Sequence, residues 1–143
     1  MRFLILVAFL AAAVFSGCEY PSPEFSDIQV RHALQVVNEL SLENYEAARD
    51  FFDEELQADW SVDQLEELWR SLTAQHGGFR EVPYFMVDSA DGPDQKVARV
   101  ELTCLFEDGS YTITLEVTPE GSIQRFIHGD SGVGEKARVS SEG

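Results

Sequence analysis

The side chains that could act as nucleophile, base or ligand are few and scattered: the thiols of Cys18 and Cys104, the imidazoles of His32, His76 and His128, and the carboxylates of Asp88, Asp91 and Asp94. An imidazole exchanges a proton near neutral pH, and two spaced as His-x-x-x-His share one helix face where a metal can bridge them. The three histidines lie in separate segments with no such spacing, so surface or helix-capping roles are expected. His76 suits the negative end of a helix. Aspartates at every third position offer hard oxygens, but not the alternating positions of an EF-hand loop. No metal site and no cofactor is expected.

Cys18 carries the strongest chemical signal. One positive charge at Arg2 precedes an apolar run from Phe3 to Phe15, and the run ends in Phe15-Ser16-Gly17-Cys18. A charged start, a short apolar stretch and small residues before the break make a secretory signal, and the run falls short of the roughly 20 residues that span a bilayer. The ending resembles the lipobox of bacterial lipoproteins, with Phe15 where a leucine is usual. That resemblance implies a diacylglycerol on the Cys18 sulfur, a signal peptide over residues 1–17 and a lipidated tether over residues 18–25. It places the protein outside the cytoplasm, anchored to the cell membrane or outer membrane. Glu19, standing where aspartate favours inner-membrane retention in Gram-negative lipoproteins, points by the same resemblance to the outer membrane. Cys104 is then a lone thiol between Leu102 and Phe106, expected to be a buried small hydrophobe.

Composition narrows the partners. The chain has 143 residues, a net charge of -16, 44% hydrophobic residues and ten phenylalanines, enough for one packed domain rather than a disordered acidic tail. Nucleic acid and anionic headgroups are disfavoured, because phosphate binding needs clustered Lys and Arg. Such a surface repels an anionic membrane, so a covalent lipid is the sensible attachment.

Periodicity supplies the elements that hold these groups. Ser26 and Gln29 form a capping box ahead of Ile28, Ala33, Leu34, Val37 and Leu40. Ser41 is expected to cap a second helix, where Tyr45, Ala48, Phe52 and Leu56 recur at three and four while Glu43, Glu46, Asp50, Asp53 and Glu54 face solvent. Ser61 and Gln64 open a third, lined by Leu65, Leu68, Trp69 and Leu72 and closed by Gly77-Gly78. From Phe79 the period drops to two. A strand from Phe79 to Ser89 contains Pro83, the mark of an edge or bulge, and a last strand covers Ser122 to His128. Between them, a hairpin turning at Asp108-Gly109 would set Phe106 against Tyr111, Cys104 against Ile113, Leu102 against Leu115 and Val100 against Val117. That face is wholly apolar. The other pairs Glu101 with Glu116, a like-charge contact for Arg99 to relieve. The fold class is α+β: three N-terminal helices packed on a curved four-stranded, mainly antiparallel sheet over residues 26–128, with a disordered tail over residues 129–143.

The run Leu65-x-x-Leu68-Trp69-x-x-Leu72 followed by Gly78-Phe79, behind the Tyr45 to Asp53 helix and ahead of the meander, resembles an uncharacterised domain family of the nuclear-transport-factor-two-like (cystatin-like cone) superfamily. That family occurs in secreted lipoproteins and ahead of some α/β-hydrolases. The resemblance covers roughly Ile28 to His128 and implies a curved sheet wrapped around a long helix as a cone. The superfamily holds isomerases, dehydratases and non-catalytic binding modules, so fold does not decide function.

Its enzymes place an Asp or His base inside the cone with Tyr or Asp partners. The inward positions named above hold no carboxylate or imidazole, which leaves Asp88 and His128 at strand ends as the only catalytic candidates, with Tyr84 or Tyr111 as proton donors. Trp69, Phe79, Tyr84, Met86, Phe106 and Tyr111 could line an apolar ligand pocket. The string His128-Gly129-Asp130-Ser131-Gly132 imitates a serine-protease nucleophile, but Val133 replaces the next glycine and the chain is too short for a double barrel. The Gly-x-Ser-x-Gly elbow of α/β-hydrolases is absent. The expected function is therefore a membrane-anchored, non-catalytic binding or accessory domain, partnered by a protein or a small apolar ligand. The alternative is a small isomerase- or dehydratase-like enzyme.

Overall fold

A computed structural model describes residues 27–129. Cys18, the signal peptide, the tether, Ser26 and residues 130–143 lie outside the described residues. Four helices, α1 (Asp27–Ser41), α2 (Tyr45–Asp50), α3 (Glu54–Asp59) and α4 (Val62–His76), precede four strands, β1 (Phe79–Asp91), β2 (Lys96–Phe106), β3 (Gly109–Val117) and β4 (Ile123–Gly129). The strands form one curved, unclosed antiparallel sheet in the order β1-β2-β3-β4. The fold is α+β, with the helices against one face.

α1 buries Gln29, Ala33, Val36, Val37 and Leu40, a stripe at helical spacing. Gln29 sends its amide into the sheet, where Nε2 donates to the Val117 carbonyl at 2.9 Å. α4 begins as its sequence dictates, since Ser61 and Gln64 make both halves of a capping box. It stops at Gly77, whose φ of 80° is open to glycine at little cost and whose missing Cβ leaves room for Glu107.

The expected second helix is instead two. Ser41 ends α1, its Oγ donating to Asn38 O at 2.6 Å, and Asn44 stands at the N-cap of α2. The chain then opens at Phe51–Asp53 because β4 captures it: Ile123 N donates to Phe51 O at 2.8 Å and Asp53 N to Ile123 O at 2.9 Å. Asp53 restarts the helix by accepting from Leu56 N at 2.8 Å. Arg49 straps the fragments together, with Nε on Trp60 O and Nη2 on Gln57 O, both at 2.8 Å.

The hairpin keeps its expected face and changes its register. Pairing sets Phe106 opposite Gly109, Cys104 opposite Tyr111, Leu102 opposite Ile113 and Val100 opposite Leu115. The turn is Glu107-Asp108 rather than Asp108-Gly109, because the end of α4 holds it: Asp108 N donates to His76 O at 2.7 Å and Glu107 N to Gly78 O at 2.9 Å. A two-residue displacement preserves side-chain parity, so Val100, Leu102, Cys104, Phe106, Tyr111, Ile113, Leu115 and Val117 all remain buried beneath the helices. It also removes the clash of Glu101 with Glu116. Glu116 now faces Arg99, with Arg99 Nη2 at 3.0 Å and Arg125 Nη1 at 3.6 Å from the same carboxylate oxygen.

Cys104 has the environment its neighbours suggested. It is fully buried and has no disulfide partner among the described residues, and burial pushes its thiol up to about 12. A thiolate is disfavoured in apolar surroundings, so this sulfur behaves as a small hydrophobe.

Candidate functional site

Two groups nominated for proton chemistry meet at one end of the helix-covered face. Tyr111 is the first buried residue of β3 and His128 the last side chain of β4 before Gly129, and the pairing of Ile113 with His128 brings the two rings side by side. The Tyr111 hydroxyl lies 2.9 Å from His128 Nδ1, and the rings stack at 6.4 Å. Trp60, at the end of α3, meets His128 edge-on at 5.7 Å and Phe126 at 5.0 Å. His76, at the end of α4, lies 6.3 Å from Tyr111 and 5.9 Å from Phe106. Tyr111 is 7% exposed and His128 is exposed. With the phenol donating to Nδ1, the imidazole carries its proton on Nε2, where it could be given to or taken from a group outside.

The other nominated residues do not join them. Asp88 is exposed on β1 at the far edge of the sheet, paired in register with Arg99, and its Oδ1 accepts from Ser89 N at 2.8 Å. Val100 and Leu102 face the helices, so Arg99 and Asp88 point to the opposite side. Asp88 therefore does not enter the interior or approach His128.

The six aromatic and sulfur side chains proposed for a pocket divide in the same way. Trp69, Phe79 and Phe106 pack on one another with centroids 5.5 to 5.7 Å apart, filling space rather than lining it. Tyr84 and Met86 are each 62% exposed and share the outward face with Thr103 and Glu101. Two one-residue register shifts around Pro83 leave the strand alternation in phase, so Phe85 and Val87, not Tyr84 and Met86, lie on the side of Phe79. Tyr84 thus stands apart from Tyr111 as a proton donor. His32 is structural: its Nδ1 donates to Gly121 O at 2.7 Å.

A cleft lies elsewhere. It encloses about 770 Å³ between Asp53–Glu55, the Asp91–Asp94 turn and the Glu116, Gln124 and Arg125 side chains. Among the described residues, no group of three or more His, Cys, Asp or Glu side chains could hold a metal ion. No helix among them is long and apolar enough to cross a membrane. Sequence reasoning missed Trp60 and the Glu116 junction. Trp60 follows a helix whose start depends on β4, and Glu116 becomes a junction only in the observed register.

The sequence pattern of a family described as "Protein of unknown function (DUF3887)" matches residues 33–126, from within α1 to within β4. The chain belongs to this family. No curated protein matches the chain. Among solved structures, the DUF3887 chain is similar to an NMR structure of a protein from Ruminococcus gnavus ATCC 29149. The two share 17% identity, with 73% of this chain and 93% of the other covered and a TM-score of 0.58. At that identity the likeness is one of fold.

Proposed function

We propose that this DUF3887 protein is an extracytoplasmic lipoprotein, held to a cell or outer membrane by a diacylglycerol on Cys18, whose domain is a non-catalytic binding or accessory module. Helices followed by an antiparallel meander on a curved sheet support membership of the nuclear-transport-factor-two-like superfamily. The observation that carries the binding reading is the filled inner face: Val100, Leu102, Cys104, Ile113, Leu115 and Val117 are all fully buried where a cone-type enzyme would seat its substrate. A protein partner fits better than a small apolar ligand, and the charge of -16 argues against nucleic acid.

The isomerase- or dehydratase-like alternative keeps one supporting observation, the Tyr111 and His128 pair at 2.9 Å. Titration with small apolar fragments separates the two readings: binding that perturbs Leu102, Ile113 and Leu115 favours the enzyme, and perturbation confined to the surface favours the module. The anchor has its own test. Cys18→Ser is expected to move the protein from the membrane to the soluble fraction and to lower its mass by the lipid. A variant that stays membrane-bound with no mass difference beyond the substitution ends the anchoring proposal.

A further inference from the structure

We propose that the open edge of β1, from Tyr84 to Asp91, docks an extended, basic and apolar segment of a partner protein, which joins the sheet as an additional strand. This rests on the binding-module reading and names its surface and partner class. Among the described residues, β1 is hydrogen-bonded to β2 on one side only. From Tyr84 to Asp91 the two strands pair without a register break, the irregularities being confined to the Pro83 end. That leaves a regular edge of roughly 26 Å at about 3.3 Å per residue. Natural sheets blunt such edges with charge, proline or bulges. Here the stretch beyond Pro83 begins with three consecutive large apolar residues, Tyr84, Phe85 and Met86, exposed by 62%, 44% and 62%. Tyr84 and Met86 lie on one face and Phe85 on the other, so an added strand would meet apolar neighbours on both sides.

The opposite edge is different, because Phe51–Asp53 already bonds to the start of β4 at Ile123. Charge selects the partner of β1. Five carboxylates, Glu81, Asp88 and Asp91 on the strand, Asp94 in the turn beyond it and Glu101 opposite Met86, outnumber the cations, which are Arg80 near the start of the strand, Lys96 opposite Asp91 and Arg99 opposite Asp88, the last bonded to Glu116. Lysines or arginines flanking valine, isoleucine or aromatic residues complement that edge. A second copy would present the same carboxylates, and an anionic membrane would be repelled by them.

The test is a titration of the isotope-labelled full chain in detergent micelles with a blocked peptide of alternating Lys and Val, about eight residues long to match a strand. Expected are amide shifts along Tyr84–Asp91, and affinity lower by about tenfold or more when Glu replaces Lys, when alternate backbone nitrogens are methylated, or when Met86→Lys is introduced. Equal affinity for the Lys and Glu peptides, or shifts elsewhere, would overturn the proposal. So would concentration-dependent shifts along β1 without peptide, which indicate a second copy. Uptake of the Cys18→Ser chain by phosphatidylcholine vesicles, lost in Tyr84→Ser/Met86→Ser, would overturn it in favour of a membrane. The Cys18 fractionation assay does not read β1, so either proposal can fail while the other stands.

Discussion

The two sides of β2 meet opposite fates. Its partner β3 contributes Tyr111, Ile113, Leu115 and Val117 to a face sealed by α1 and α4, whereas its partner β1 leaves Tyr84, Phe85 and Met86 in water. Both strands pair with β2 in antiparallel fashion and both are rich in large apolar residues, so pairing and composition do not separate them. Coverage does. The helices sit over the middle of the sheet and meet β1 at Phe79, through Trp69, while leaving the Tyr84–Met86 stretch uncovered, which lets one hairpin act as core and that part of the neighbouring strand as surface. On the proposed reading, the interior is committed to stability and recognition falls to the edge.

Substitutions should read that difference directly. Leu102→Ala on the sealed face is expected to lower unfolding free energy by about 2–5 kcal/mol, as for other buried leucines. Met86→Ala on the open strand should change it by less than about 0.5 kcal/mol. Similar losses at both sites in denaturant titrations would erase the comparison. The buried thiol extends it to pH. The folded state raises Cys104 from an ordinary value of 9.0 to about 12, so its contribution to stability is fully present below pH 9 and declines as pH rises toward 12. The slope reaches about 1.4 kcal/mol per pH unit, and Cys104→Ala should flatten it. The same burial predicts that alkylating reagents at pH 8 label Cys104 only after denaturation.

Glu116 tests the outward face, where its side chain is 3% exposed between Arg99 and Arg125. Glu116→Gln is expected to cost about 1–2 kcal/mol, less at high salt because both guanidinium groups reach solvent. Glu66→Gln, which breaks the exposed helical pair with Arg70, should cost about 0.3–0.5 kcal/mol. The smallest effect has the opposite sign. The Tyr45 hydroxyl is buried without a hydrogen-bond partner among the described residues, so Tyr45→Phe should be neutral or stabilising by up to about 1 kcal/mol in thermal unfolding.

What the sequence disclosed is what local chemistry decides. The capping box at Ser61 and Gln64, the stop at Gly77 and the apolar parity of the β2 and β3 residues all follow from neighbours a few positions away. The break between α2 and α3 was hidden because its cause, Ile123, lies far along the chain. The hairpin register was hidden for a related reason: Asp108-Gly109 is a good turn in isolation, but His76 and Gly78 bind the backbone of Glu107 and Asp108. At the site, the sequence named Tyr111 and His128 separately and had no means of bringing them to 2.9 Å. It grouped Tyr84 and Met86 with Trp69 by residue type, whereas alternation along β1 puts both Tyr84 and Met86 on the sheet face away from the helices.

Single-residue amide hydrogen exchange on the full chain tests the central claim, a sealed face beside an open edge. Amides of β3 between Thr112 and Glu116 should exchange only through global unfolding, while those of Tyr84–Asp91 that point away from β2 should exchange orders of magnitude faster. Uniform protection along both strands would mean that the edge is already covered, and fast exchange throughout β3 would mean that the interior is open; either result contradicts the account.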